Sequence, residues 1–225
     1  MVSPQVVLLK MSYKFMINYS YLIIDNINHC SVIVDPAWDI EKINKTLVDN
    51  QTDLNGVLLT HSHEDHTHLA IPLAQKYNCP IWMSSKEIDE SGFLAPQLVP
   101  MDIMIPWSIG QIHIQPILTP GHTGGSVCYL IGDNLFTGDT LFAEGCGICP
   151  NLQSAHMMFT SLQNLKNMLD PDVHVYPGHS YGKPPGLKFS DLLQDNIYLQ
   201  FANERDFAKY RLRKGQNESN FFTFY

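Results

Sequence analysis

The sequence predicts an α/β protein in which two β-sheets pack face to face with helices on the outside, a four-layer αββα sandwich. Two observations carry this. Strand-like apolar runs lead and helical patterns follow, first in one half of the chain and again in the other, without repetition of sequence. Four of the strands also run directly into short segments rich in His, Asp and Gly. A length of 225 residues suits one such unit, because single α/β domains run to about 250 residues. The expected organisation is one domain over residues 1–225, with 187–225 a helical C-terminal extension.

In the first half, residues 15–25 and 29–35 are rich in β-branched and aromatic side chains and flank Asn26-Ile27-Asn28, which reads as a hairpin turn. Asp39 is placed to cap a helix in which Ile40, Ile43 and Leu47 recur at helical spacing. Residues 56–60 form a short apolar run and read as a buried strand. A short helix over 69–77 and a strand over 79–83 follow. In the second half, residues 111–119 alternate polar and apolar and read as a strand. Residues 126–131 and 134–136 form a hairpin about Gly132-Asp133. Residues 152–169 are an amphipathic helix, 173–176 a strand, and 187–210 helical as one or two pieces. The polar stretch after Gly215, ending in Phe221-Phe222-Thr223-Phe224-Tyr225, has no readable pattern.

Composition narrows the function. Hydrophobic residues make up 44% and charged residues 16%, enough apolar matter for a core and too little charge for a disordered chain. Fourteen basic against twenty-two acidic residues give a net charge of −8, which disfavours nucleic acid and anionic membrane as partners. No apolar run approaches the ~18–20 residues of a membrane span, and no signal-peptide pattern opens the chain. Five cysteines, an odd number, argue against a disulfide framework and for a cytoplasmic setting.

The chemistry sits at strand ends. The four segments are Thr60-His61-Ser62-His63-Glu64-Asp65-His66, Thr119-Pro120-Gly121-His122-Thr123-Gly124-Gly125, Phe136-Thr137-Gly138-Asp139-Thr140 and Tyr176-Pro177-Gly178-His179-Ser180. His61 and His63, two apart in an extended loop, point the same way and can share one metal. Asp65 and His66, on the following turn, can face a second. Neutral imidazole and carboxylate suit Zn²⁺ and similar ions. Glycine before each later His or Asp allows close backbone approach. A single Gly-His or Gly-Asp pair usually means nothing, but four such segments in order are hard to explain without metal.

His-x-His-x-Asp-His followed by Gly-His, Gly-Asp and Gly-His resembles the metallo-β-lactamase superfamily over nearly the whole chain. The resemblance implies the αββα sandwich and a dinuclear site between its sheets. By motif position, His61, His63 and His122 match the ligands of one metal, Asp65, His66 and His179 those of the other, and Asp139 the bridging carboxylate. Two Zn²⁺ are the implied cofactors, with Fe or Mn as other occupants. Within the superfamily, Asn18-Tyr19-Ser20-Tyr21-Leu22, Val34-Asp35-Pro36 and Gly138-Asp139-Thr140-Leu141-Phe142 with Gly145-Cys146-Gly147 resemble the glyoxalase II group. Ile148-Cys149-Pro150-Asn151 and the segment after His179 depart from it, since glyoxalase II there places basic and aromatic residues that help hold glutathione. The chain is more similar to the zinc-dependent hydrolases encoded with bacterial trans-acyltransferase polyketide synthases.

That resemblance implies hydrolysis of an acyl thioester, with an acyl carrier protein or a small acyl thioester as partner. Divalent metals bring the pKa of bound water from ~15.7 toward ~7, and Asp65 would orient the resulting hydroxide. A thiol of pKa ~8.5 leaves without a strong general acid. The rivals are a glyoxalase II-type hydroxyacylglutathione hydrolase, a lactonase and a persulfide dioxygenase. Arg205, Lys209, Arg211, Arg213 and Lys214 form a local basic cluster, and Arg211 and Arg213 are candidate docking residues for an acidic carrier. Cys146-x-x-Cys149 reads as a structural turn. His68 is either a support or a surface residue, and His29, His113, His156 and His174 are ordinary strand, turn or helix residues. Met157-Met158-Phe159 reads as helix core.

Overall fold

The computed structural model describes residues 4–14 and 16–215. Phe15, at the start of a predicted strand, and the aromatic run 221–225 lie outside the described residues.

The first half contains β1 (Gln5–Tyr13), β2 (Met16–Asp25), β3 (Cys30–Val34), α1 (Ile40–Asp49), β4 (Asp53–Leu58), α2 (Glu64–Thr67), α3 (Ala70–Tyr77), β5 (Ile81–Ser84), α4 (Ser85–Ser91) and β6 (Leu98–Met101). Its six strands form one sheet in sequence order. Strands β1 to β3 pair antiparallel and β3 to β6 parallel. The second half contains β7 (Trp107–Ile109), β8 (Ile112–Leu118), β9 (Val127–Ile131), β10 (Asn134–Gly138), α5 (Leu152–Met168), β11 (His174–Pro177), β12 (Leu187–Lys188), α6 (Phe189–Asp195) and α7 (Glu204–Arg211), with a 3₁₀ turn at Ile197–Leu199. Its sheet runs β12-β11-β10-β9-β8-β7.

Three apolar clusters show how these layers stack. Tyr21 and Ile23 of β2 point into the space between the sheets with Val32, Val34, Ile114, Tyr129 and Phe136. Leu22 and Ile24 point the other way, to Ile43, Leu47 and Leu73 of the first helical layer. A strand buried on both faces reads as a continuous apolar run, which is why residues 21–24 do not alternate. On the far side, Cys128, Leu135 and Val175 meet Met158, Leu162, Phe189 and Phe207 of the second helical layer. The order is therefore α, β, β, α, as the sequence predicts.

Local chemistry sets several boundaries. Asp39 Oδ1 accepts from the backbone N–H of Lys42 at 2.9 Å and caps α1, as expected. The β2–β3 turn is held by Asp25, whose Oδ1 accepts from the N–H groups of Ile27 and Asn28. The same carboxylate accepts from Gln111 N at 2.7 Å and so ties the first sheet to the β7–β8 turn of the second.

The predicted helix over 187–210 is instead β12, α6, the 3₁₀ turn and α7 in succession. Leu187 and Lys188 pair with Val175 and His174 before the chain turns helical. Leu192, Tyr198, Leu199, Phe207 and Ala208 join the same core as α5. Besides β12, the elements that the sequence does not announce are β1, α2, α4, β6 and β7. Strand β6 carries Pro100 at a sheet edge, where a missing N–H is tolerated. Among the described residues no helix is long and apolar enough to cross a membrane.

Candidate metal centre

Histidine and aspartate side chains converge where strands from both sheets end. The loop after β4 carries His61 and His63, and α2 presents Asp65 and His66. The β8–β9 connection carries His122, the end of β10 leads to Asp139, and the end of β11 leads to His179. Glycine is needed at two of these places. Gly138 has φ +48°, and a Cβ there would lie 2.2 Å from Thr60 Oγ1. A Cβ on Gly178 would lie 2.5 Å from His66 Cε1 and 2.8 Å from Asp139 Oδ1.

The side chains form two pockets that share one carboxylate. In the first, His61 Nε2 and His122 Nε2 each lie 3.0 Å from His63 Nδ1. In the second, His179 Nε2 is 3.2 Å and His66 Nε2 3.7 Å from Asp65 Oδ2. Asp139 stands between them. Its Oδ2 is 3.6 Å from His122 Nε2, while its Oδ1 is 3.4 Å from His66 Nε2 and 3.6 Å from His179 Nε2.

This donor set fits metal. A tetrahedral zinc with ligands at ~2.0–2.1 Å sets its nitrogens ~3.3 Å apart, close to the spacings seen here. His66 Nε2 and Asp139 Oδ1 are buried and make no hydrogen bond. Such groups are rarely left without a partner. Three groups of donors, His61/His63/His122, His61/His66/Asp139 and Asp65/His66/His179, each lie within 4.8 Å of one another.

The outer face of each imidazole is also fixed. His122 Nδ1 lies 2.9 Å from the Ile148 carbonyl and His179 Nδ1 2.9 Å from the Ile17 carbonyl. A carbonyl only accepts, so both rings carry their proton on Nδ1 and, when neutral, aim a bare Nε2 inward. His66 Nδ1 lies 2.9 Å from Asp35 Oδ2. Thr60 Oγ1 donates to the same Asp35 oxygen at 2.7 Å and accepts from His61 Nδ1 at 3.0 Å. One buried aspartate thus orients a donor in each pocket, the usual arrangement behind metal-binding histidines. Asn18 Nδ2 donates to Asp65 Oδ2 at 2.8 Å, and Trp38 Nε1 donates to Asn18 Oδ1.

Electrostatics differs between the pockets. Burial, with His66 and His122 nearby, pushes His61 well below the ordinary histidine range. Burial also lowers His122, although Asp139 opposes it. For His66, burial works against the charge, but Asp139 and Asp35 outweigh it and hold its pKa well above the ordinary value. Burial likewise opposes charge on His179, and Asp139 and Asp65 raise it. Burial raises Asp139, yet His179, His66 and His122 bring it well below the usual carboxylate range. Asp65 is lowered too: burial opposes this, and the His179 hydrogen bond and the charge of His66 prevail.

The site opens at His63, which is exposed, and at Asp65 and His179, which are half-buried. Beside the opening, Phe142 packs edge-on against both His179 and Tyr181.

Other expected residues fall elsewhere. Arg211 is a correction. It is only 2% exposed, and its Nε donates to the Gly147 carbonyl at 2.8 Å, so it faces the core and presents no charge to a partner. Arg213 is exposed, with its guanidinium 3.6 Å above the Tyr210 ring. Cys146 pairs with Leu141 in a tight turn closed by Phe142 N and Gly145 O. Burial pushes the Cys149 thiol up to about 11 and Cys146 higher still, as inert structural thiols should be. Met158 is core. His68 accepts from Trp38 N at 3.3 Å and, among the described residues, belongs to no donor group, and neither do His29, His113, His156 or His174. Asn18, Asp35, Thr60 and Glu87 support the site without being among the donors that the sequence predicts. For Asn18 and Asp35, the sequence signal is their place in the motifs Asn18-Tyr19-Ser20 and Val34-Asp35-Pro36.

Comparison with known proteins agrees with this geometry. The chain is 46% identical over 209 residues, 92% of its length and 93% of the relative's, to the probable polyketide biosynthesis zinc-dependent hydrolase PksB of Bacillus subtilis strain 168. It shows the same identity and coverage to the probable polyketide biosynthesis zinc-dependent hydrolase BaeB of Bacillus velezensis. It is 32% identical to a hydroxyacylglutathione hydrolase of Pelagibacter ubique, covering 74% of this chain and 68% of that one. Among solved structures, a metallo-beta-lactamase from Staphylococcus aureus superposes with a TM-score of 0.85 at 22% identity, over 95% of this chain and 68% of the other. ETHE1 from Myxococcus xanthus superposes with a TM-score of 0.80 at 24% identity, over 91% and 89%. At such identities these two likenesses establish the fold alone. The description of the metallo-beta-lactamase superfamily matches residues 13–179, a span that contains all seven donors, and the chain belongs to that superfamily.

Proposed function

We propose that this protein is a zinc-dependent hydrolase of polyketide biosynthesis that releases acyl groups from acyl carrier protein by cleaving the thioester. The observation that carries the reading is the 46% identity, over nearly the full length of both chains, to two proteins named as zinc-dependent hydrolases of that process. The donor geometry supports the metal. His61, His63 and His122 would hold one ion and Asp65, His66 and His179 a second, with Asp139 offering one oxygen to each. Metal there supplies Lewis acidity, polarising a carbonyl and bringing water ionisation into the neutral range.

The chain's own residues do the rest. Asp35 and the carbonyls of Ile17 and Ile148 keep the imidazoles in the ligating tautomer. Asp65, at the opening and steadied by Asn18, orients the attacking water. The thiolate leaves unaided, because a thiol of pKa ~8.5 needs no strong general acid. Exposed Arg205, Lys209, Arg213 and Lys214 offer the carrier a basic surface in a chain of net charge −8. The reaction belongs in the cytoplasm, where carrier proteins are charged.

A glutathione thioesterase is the second reading, favoured by the hydroxyacylglutathione hydrolase relatives. Against it stands the loop after Gly147, which offers Ile148, Cys149 and Pro150 in place of basic and aromatic groups. The test is release of acetate from acetyl-carrier protein by zinc-loaded enzyme. Turnover by wild type that disappears in Asp139→Ala supports the reading. Equal turnover by metal-free Asp139→Ala contradicts it.

A further inference from the structure

Glu87 is a buried carboxylate with no part in the chemistry above. It lies in α4 and is 1% exposed. Among the described residues no lysine or arginine pairs with it. Its charge is met by four hydrogen bonds. Oε1 accepts from the backbone N–H of Ser62 at 2.8 Å and from its hydroxyl at 2.6 Å. Oε2 accepts from the Thr123 hydroxyl at 2.6 Å and from Gly125 N at 3.1 Å.

The partners are what matter. Ser62 sits between His61 and His63, and Thr123 follows His122. One carboxylate therefore grips both loops that supply the three-imidazole pocket, and these loops come from different sheets. Helix α4 is itself seated on the second loop. Ser84 Oγ, its cap, accepts from Glu87 N and donates to the Gly125 carbonyl. A Cβ on Gly125 would lie 2.2 Å from Glu87 N, so loop and helix are in direct contact. Asp65, His66 and His179 receive no bond from Glu87.

We infer that Glu87 is a positioning residue that sets the His63–His122 spacing and thereby the metal affinity of the His61/His63/His122 pocket. Its four acceptor bonds tie the neighbours of His61, His63 and His122 to one helix, and groups that fix the orientation of metal ligands typically govern affinity by ~10–100-fold. The inference rests on the metal reading proposed above.

The test is zinc titration of full-length Glu87→Gln against a chelator, paired with cobalt(II) absorption spectra. Glutamine keeps the volume but turns an N–H₂ toward donors. The expected result is one site weakened ~10–100-fold, one unchanged, and an altered cobalt spectrum for the weakened site. In a His63→Ala background the same substitution should change nothing further, which assigns the effect to the three-imidazole pocket. Thr123→Val removes a single arm and should weaken that site ~3–10-fold, which keeps the inference testable if Glu87→Gln does not fold. Folded Glu87→Gln that binds zinc as wild type does, or that weakens both sites equally, overturns it. Wild type that binds no zinc overturns the metal reading itself, and this inference with it.

Discussion

The pocket of His61, His63 and His122 and the pocket of Asp65, His66 and His179 lie on either side of Asp139, yet they are built differently. The first is three imidazoles, two of them pushed toward the neutral form by burial and by neighbouring imidazoles. The second holds a carboxylate of its own, and its two imidazoles are pushed toward the charged form by Asp65, Asp139 and Asp35. The supports differ as well. The first has its two loops tied together through Glu87, while the second has direct bonds to its donors from Asp35, Asn18 and the Ile17 carbonyl.

The largest expected effect comes from removing what the pockets share. Asp139→Ala should cost more than ~100-fold in zinc affinity at both sites, beyond the loss typical of an outer partner, and abolish turnover. Metal analysis after dialysis checks this. Loss confined to one pocket would show that Asp139 does not span them.

Asp35→Asn should separate the pockets. It bonds His66 directly but reaches His61 only through Thr60. Zinc affinity should fall ~10–100-fold in the carboxylate pocket and by less in the other. Competition titration resolves the two, and a reversed order would contradict the orientation argument.

Charge reversal at Lys209 and Arg213 should leave both pockets intact. Turnover of acyl-carrier protein should fall ~3–10-fold, most at low salt, while a small acyl thioester is spared. Equal loss on both substrates would remove the docking role.

Asp25→Asn is the smallest change and the control, because Asp25 lies away from both pockets. The Asn28 amide, with the backbone N–H groups of Gln111, Asn28 and Ile27, holds the Asp25 pKa at about 2. A carboxylate lowered on folding stabilises the fold above its unfolded pKa of ~3.9, and that contribution is lost as pH falls from there toward about 2. The variant should melt ~3–8 °C lower at pH 7 and show a smaller drop in stability across that acid window than wild type. Zinc affinity should not move. Parallel loss of zinc would mean that the pockets depend on the whole sandwich and not on their own supports.

Much of this was legible in the sequence, for a physical reason. Metal ligation demands particular residue types at strand ends, and His61, His63, Asp65, His66, His122, Asp139 and His179 stand out on that basis alone. The supports do not. Asp35 acts on residues 25 and 31 positions away, Glu87 on Thr123 36 positions away, and Asn18 on Asp65 47 positions away. No local pattern marks such partners. A run of basic residues suggests a solvated face, but Arg211 lies four residues after Phe207, on the buried side of α7. Strand β12 was hidden because two residues are too few to show a period.

The most direct test of the proposed activity is one ratio, the hydrolysis rate on acetyl-carrier protein over that on S-lactoylglutathione, measured with zinc-loaded protein. The account predicts a large ratio. Fast turnover of the glutathione thioester with little action on the carrier would contradict it and show that the loop after Gly147 does not exclude glutathione.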